Sequence, residues 1–127
     1  MGKNSKALSS YERSLEIRKI ALPPNHPDLA DSYNNIGVMY GNMGEHSKAL
    51  SSHERSLEIK KIALPPNHPG LATSYEGIGW AYINMREYSK ALACYEKVLG
   101  MYQTSLPPGH PDMVRTQNNI ALLKKKL

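Results

Sequence analysis

The hexapeptide LPPNHP occupies residues 22–27 and 64–69, and its variant LPPGHP occupies residues 106–111. The three copies begin 42 residues apart and contain all nine prolines of the 127-residue chain. Two consecutive prolines end a helix, because each lacks an N–H group and disfavours the helical conformation of the residue before it. A single proline, in contrast, suits the first position of a helix. Each hexapeptide is therefore predicted to end one helix and to begin the next.

The segments between the hexapeptides repeat with the same period. Residues 5–46 and 47–88 are identical at 31 of 42 positions by direct comparison. Apolar or small residues recur at helical spacing after the first hexapeptide, at Tyr33, Ile36, Gly37 and Tyr40. A second helical pattern follows after a short turn, and no stretch alternates in the manner of a strand. Repeats of this length are typical of stacked supersecondary units, and here each unit is predicted to be a helical hairpin.

The complete pattern predicts an all-α solenoid of six helices in one domain that covers residues 1–127. We name the helix after each hexapeptide A and its partner B, so that the order is B-A-B-A-B-A. Two full units cover about 27–68 and 69–110, between half units at about 1–26 and 111–127. The helices are expected at about 4–22, 27–43, 46–64, 69–85, 88–105 and 111–126.

Three strings carry a family resemblance: HPDLADSYNNIGVMY (26–40), KALSSHERSLEIKKIAL (48–64) and HPDMVRTQNNIALL (110–123). They resemble tetratricopeptide repeats, and the 42-residue unit is similar to the repeats of kinesin light chains. The resemblance implies a right-handed superhelix in which the A helices line a concave groove. It also implies a non-catalytic scaffold without cofactors, which binds a peptide segment of another protein. Arg86 departs from the pattern, because it replaces the glycine of the turn, and Gln117 replaces an aromatic residue.

The resemblance also places a set of residues in the groove. They are Asp31, Asn34, Asn35, Val38, Asn42, Thr73, Glu76, Trp80, Asn84, Arg115, Asn118, Asn119 and Leu122. Asparagine carries both a donor and an acceptor, so a row of asparagines can pair with the backbone of a ligand. Trp80 offers a large apolar face of the kind that anchors interfaces. Several differences between the two full units fall at these positions, which fits either a groove adapted to an asymmetric peptide or drift at exposed sites.

The middle unit departs from the asparagine pair found at 34–35 and 118–119. It has Glu76 and Gly77 instead. This departure argues against the acidic-aromatic peptide associated with kinesin light chains.

Charge and cysteine content exclude several classes of function. The net charge is +5, but three of the five excess positive charges belong to residues 124–126, so the rest of the chain is nearly balanced. We therefore expect no nucleic-acid partner, and no apolar stretch reaches the ~18 residues of a membrane span. Cys94 is the only cysteine, which excludes a disulfide framework and indicates a reducing compartment, the cytoplasm.

The histidines are predicted to be structural. His26, His68 and His110 share one repeat position just before the first residue of an A helix, so they are expected to cap the helix or to pack in the loop, and not to bind a metal. His46 and His53 replace aromatic residues at core positions, so packing is expected there too.

An alternative function is self-association. The first helix is a B helix without an A helix before it, so Leu8, Tyr11 and Leu15 are expected to lack a neighbour. Their face is predicted to pair with a second copy in a homodimer, or to belong to a longer array.

Overall fold

The computed structural model describes residues 2–127 and contains six α-helices within them. They are α1 (Gly2–Ala21), α2 (Pro27–Asn42), α3 (His46–Ala63), α4 (Ala72–Asn84), α5 (Tyr88–Ser105) and α6 (Pro111–Lys126), and a short 3-10 helix, Pro69–Leu71, precedes α4. Each helix packs against the one before it and the one after it, and α2 also contacts α4. The all-α prediction and the B-A-B-A-B-A order are confirmed, with α2, α4 and α6 as the A helices.

Each hexapeptide begins a helix by the same device. His26, His68 and His110 have extended backbone conformations, and a proline follows each as the first helical residue. The imidazole Nδ1 atoms accept hydrogen bonds from the backbone N–H groups of Asp28, Gly70 and Asp112, at 3.1, 2.9 and 3.1 Å. These bonds satisfy donors that a helix leaves free at its beginning. The predicted capping role of the three histidines is confirmed.

The start of α4 differs from the expected one. The helix was expected from about residue 69, but the first turn is a 3-10 helix and α4 begins at Ala72. Gly70 stands where the other two units have Asp28 and Asp112. Glycine has a low helix propensity, and it cannot place a negative charge at the positive end of the helix as aspartate does. The middle unit therefore begins with a weaker first turn.

The turn inside each hairpin uses a left-handed residue. Gly44 has φ +80° and Arg86, at the equivalent position, has φ 62°. The backbone N–H of the residue after each donates back to a tyrosine carbonyl, Tyr40 in one unit and Tyr82 in the other, at 2.9 Å in both. The same ending therefore forms although arginine adopts this conformation less readily than glycine.

The core lies between successive A and B helices. In the second unit it is built from Leu71, Tyr75, Val98 and Met101, all buried. A buried hydrogen bond of 3.1 Å between the hydroxyl groups of Ser56 and Ser74 also joins α3 to α4.

Within residues 2–127 no helix has the length and apolar character that a membrane crossing requires.

The structure corrects the expected environment of Leu8, Tyr11 and Leu15. All three pack with α2, and Leu15 is buried in the cluster that contains Leu29. This face of a B helix turns towards the A helix that follows it, and that helix is present. The prediction that these residues lack a neighbour is therefore wrong for Leu8 and Leu15, whereas Tyr11 is only partly buried although its repeat equivalents His53 and Tyr95 are 2% and 4% exposed.

A different side of α1 is open. Ile17 is 62% exposed, whereas the residues one and two repeats later, Ile59 and Met101, are 0% and 3% exposed. Ile59 packs with the cluster that contains Leu29 and Ile36 of α2, the A helix before it. Ile17 has no such helix before it within the described residues, so its side chain meets solvent.

Candidate functional site: the groove of the A helices

The A helices border a cavity of about 400 Å³. Eight of the thirteen predicted groove residues line it: Asn34, Val38, Asn42, Thr73, Glu76, Trp80, Arg115 and Asn119. Gly77 and two residues of the B helices, His53 and Tyr95, complete the lining. The other predicted residues, Asp31, Asn35, Asn84, Asn118 and Leu122, lie on the same helices outside the cavity lining.

An apolar row runs along the three A helices. Val38, Trp80 and Leu122 share one repeat position, and they are 41%, 41% and 58% exposed. Single exposed apolar residues are common on proteins, but these three recur at one repeat position, one on each A helix. The row gives the groove side chains that a ligand can cover.

Trp80 is supported from one side. A Cβ atom placed on Gly41 of α2 would overlap the six-membered ring of the indole, so the ring rests directly on the α2 backbone. The imidazole of His46 meets the indole edge-on, with centroids 6.0 Å apart and an interplanar angle of 85°. A rigid ring with one supported side and one open side suits an interface anchor, because little conformational freedom is lost on binding.

His53 joins the first two A helices beneath the groove. Its ring lies between two glycines, since a Cβ on Gly37 or Gly77 would come within 2.8 or 2.5 Å of imidazole atoms. Its Nδ1 is 2.9 Å from Oδ1 of Asn34. Because that oxygen only accepts, Nδ1 carries the proton and donates, which leaves the amide N–H₂ of Asn34 for the groove.

Burial keeps His53 uncharged at neutral pH. The loss of hydration lowers its pKa from 6.5 to about 4, and the nearby Lys60 ammonium contributes in the same direction. The expected packing role of His53 is confirmed, and His46 also packs, against Trp80. His53 was not among the predicted groove residues, yet it lines the cavity, because the glycines at 37 and 77 leave room for its ring.

The asparagine row is partly engaged within the protein. Asn34 bonds to His53, and the side-chain amide of Asn84 donates to the backbone oxygen of Trp80 at 2.9 Å. Asn35, Asn42 and Asn118 are exposed to solvent. These three are therefore better placed than Asn84 to pair with a ligand backbone.

A charged cluster closes the groove towards α6. Nη2 of Arg115 donates to Oε2 of Glu76 at 2.9 Å, and its Nη1 lies 3.2 Å from Oδ1 of Asp112. The hydroxyl of Tyr102 donates to the other oxygen of Glu76 at 3.0 Å. Burial raises the pKa of Tyr102 to about 12, and the negative charge of Glu76 acts in the same direction. Glu76 is therefore a bridge between α4, α5 and α6, and not a free acid. Asp31 is exposed on α2, outside the cavity lining.

Within residues 2–127 no three His, Cys, Asp or Glu side chains converge in a way that could hold a metal ion. Burial raises the pKa of the Cys94 thiol to about 11, so the group is protonated at neutral pH and is a poor nucleophile. Cys94 is a free thiol and is partly buried.

Stacked helical hairpins with a groove along the A helices define an α-solenoid of the kind that binds other proteins. Two family models described as "Tetratricopeptide repeat" match residues 1–62 and 71–112. The chain belongs to the tetratricopeptide repeat family, whose repeats mediate protein–protein interaction. A search of curated proteins finds no match to this chain.

Solved structures share the fold. A putative kinesin light chain of Podosopora anserina with nearly identical TPR-like repeats is 22% identical, with a TM-score of 0.90 over 98% of this chain and 59% of that one. BtubC of P. vanneervenii is 21% identical, with a TM-score of 0.88 over 98% of this chain and 50% of that one. The Sgt2 TPR domain of Aspergillus fumigatus is 21% identical, with a TM-score of 0.69 over 98% and 68%. This chain thus spans only 59% and 50% of the first two.

Proposed function

We propose that this chain is a non-catalytic scaffold whose groove binds an extended segment of a partner protein. The observation that carries the proposal is the exposed row of Val38, Trp80 and Leu122 beside a cavity of about 400 Å³. Apolar side chains of the partner cover this row. Carboxamides such as those of Asn35 and Asn118 hydrogen-bond its backbone.

The repeat spacing sets the pattern of the partner segment. Packed helices lie about 8–10 Å apart, and an extended chain in the polyproline II conformation advances about 3.1 Å per residue, with every third side chain on the same side. Neighbouring A helices are therefore separated by about three residues of an extended peptide. The preferred segment has an apolar residue at every third position, so that successive side chains meet Val38, Trp80 and Leu122.

A peptide-library selection tests this function with a built-in signal. Trp80 is the only tryptophan, so its fluorescence reports directly on the centre of the groove. Selected peptides are expected to show apolar residues three positions apart and to shift the Trp80 emission to shorter wavelength as the ring loses water. Selected peptides that bind without any change in that emission would place the binding surface elsewhere and overturn the proposal.

A second candidate function is self-association through α1, and the exposure of Ile17 favours it. Ile17 is 62% exposed where its repeat equivalent Ile59 is fully covered. We propose that the corresponding face of a second copy covers it. Wild type is then a dimer by light scattering during gel filtration, and Ile17→Glu is a monomer.

Ile20→Glu is the matched control for this experiment. Ile20 is on the same helix, but both it and its repeat equivalent Ile62 are exposed, so no helix covers this position anywhere in the array. The control is expected to remain a dimer. A wild-type monomer at all concentrations contradicts self-association.

A further inference from the structure

A second kind of cavity lies at the proline loops. It has a volume of about 360 Å³ and shares no lining residue with the groove cavity. Its lining consists of Lys61, Leu64, Pro66, Asn67, Leu71, Tyr75, Lys97 and Met101. Leu71, Tyr75 and Met101 are buried and form the floor, whereas the two lysines are exposed. The cavity is therefore apolar inside and cationic at its mouth.

The two lysines lie over one aromatic ring. The Nζ atoms of Lys61 and Lys97 are 5.8 and 5.5 Å from the centroid of the Tyr75 ring. Among the described residues, neither lysine forms an ion pair, and no carboxylate lines this cavity. The ring holds both ammonium groups near the same opening, so an anion there meets two positive charges.

The same cavity recurs one repeat earlier. A smaller cavity of about 180 Å³ is lined by Lys19, Pro24, Leu29, Tyr33 and Arg55. Each of these residues lies 42 positions before a lining residue of the larger cavity. The Arg55 guanidinium carbon is 5.7 Å from the centroid of the Tyr33 ring, and at the equivalent place Nζ of Lys97 is 5.5 Å from the centroid of the Tyr75 ring. Both copies thus combine a buried leucine, a tyrosine, a loop proline and two cations.

We propose that this pair of cavities binds an acidic segment of a partner protein, with one Glu or Asp side chain in each cavity. The carboxylate lies between the two cations, and the aliphatic part of the side chain lies at the mouth of the cavity beside the loop proline, Pro66 or Pro24. The burial of Tyr75 favours this occupant over a nucleic acid, because its ring is not open for a base to stack on. The larger cavity, with Lys61 and Lys97, is the stronger of the two sites.

Both cavities are within reach of one short peptide. They are one repeat apart, and packed helices of neighbouring units lie about 10 Å from one another. A hexapeptide spans up to about 20 Å when fully extended. A single acidic segment can therefore occupy both cavities at once, which increases its apparent affinity beyond that of either site.

The test uses a fluorescein-labelled hexaglutamate peptide and measures its binding by anisotropy at low salt. The double variant Lys61→Gln/Lys97→Gln is expected to weaken binding at least tenfold. The matched control is Lys48→Gln/Lys90→Gln, which removes the same charge. Lys48 and Lys90 each lie 5.6 Å above a tyrosine ring, Tyr40 and Tyr82, but line neither cavity. The control is expected to stay within twofold of wild type.

Three outcomes overturn the proposal. The first is an equal loss in both double variants, which would mean that only the overall charge matters. The second is no loss in either variant. The third is a hexathymidylate oligonucleotide that binds wild type as tightly as hexaglutamate and responds to the variants in the same way. Circular dichroism checks that both variants keep the helix content of wild type.

Amide chemical shifts separate this site from the groove. Hexaglutamate is expected to move the signals of Asn67, Leu71 and Met101, which line the larger cavity, and not those of Gly77 and Asn119, which line the groove. The variant Trp80→Ala is expected to bind hexaglutamate like wild type. Perturbations confined to the groove signals would assign the acidic peptide to the groove and contradict the proposal.

Discussion

The substitution Trp80→Ala is expected to weaken the binding of a selected groove peptide by about 1–3 kcal/mol, roughly 5- to 150-fold in Kd, which isothermal titration measures. The indole stands in the middle of the exposed apolar row and is held in place by Gly41 and His46. Because the ring is already held in place, it loses little conformational freedom on binding. Its outer side is open, so a bound peptide can cover it and exclude water from the centre of the interface. Helix content is expected to stay unchanged, because Trp80 is 41% exposed and does not belong to a buried core cluster.

Val114→Ala is the matched control for this loss. Val114 is as exposed as Trp80 and also lies on an A helix, but it does not line the groove cavity. Peptide affinity is expected to remain within about twofold of wild type, since surface changes away from a contact have little effect. A Trp80→Ala variant that binds the peptide as wild type does would remove the indole from the interface.

Gly41→Ala probes the same ring without removing it. The added methyl group would overlap the indole, so Trp80 has to leave its place on α2. A loss of affinity in this variant, comparable to that of Trp80→Ala, would show that the orientation of the ring matters as well as its presence. The other units have Ile83 and Lys125 at this position, so only the first unit can seat a ring in this way.

The fold could be predicted because local chemistry determines it. The diproline ends a helix whatever surrounds it, and the proline after each histidine begins one, so three hexapeptides divided the chain into helices. The exception was the start of α4, where Gly70 replaces the aspartate that its equivalents carry. A single residue in the first turn was enough to change the helix type locally.

The chemistry of the site was harder to predict from the sequence, because it depends on which side chains meet across helices. The repeat position placed Asn34 and Glu76 in the groove, but it could not show that His53 bonds to Asn34 or that Arg115 neutralises Glu76. The error on α1 has a similar origin. Periodicity shows that a residue belongs to an apolar face, but it does not distinguish the face turned towards the following A helix (Leu15) from that turned towards the preceding one (Ile17).

The second large effect concerns pH, and it arises at His53. We expect the free energy of unfolding to fall by about 2.5 kcal/mol between pH 7.5 and pH 4.5 through this residue alone, because its pKa is about 4 in the folded protein and 6.5 in the reference state. The unfolded chain binds a proton in this range and the folded chain does not, so acid favours unfolding. The stabilising contribution is complete above pH 6.5 and is lost as the pH falls towards 4.

His53→Gln isolates this contribution. The side-chain amide of glutamine can still donate to Oδ1 of Asn34, but it does not titrate. Urea unfolding of both proteins at pH 7.5 and pH 4.5 gives the pH dependence of each, and every other titrating group is common to the two. Wild type is expected to lose about 2.5 kcal/mol more than the variant over this range. Equal losses in the two proteins would mean that His53 accepts a proton without unfolding the chain. The ring would then have to be hydrated, which is incompatible with its place between Gly37 and Gly77.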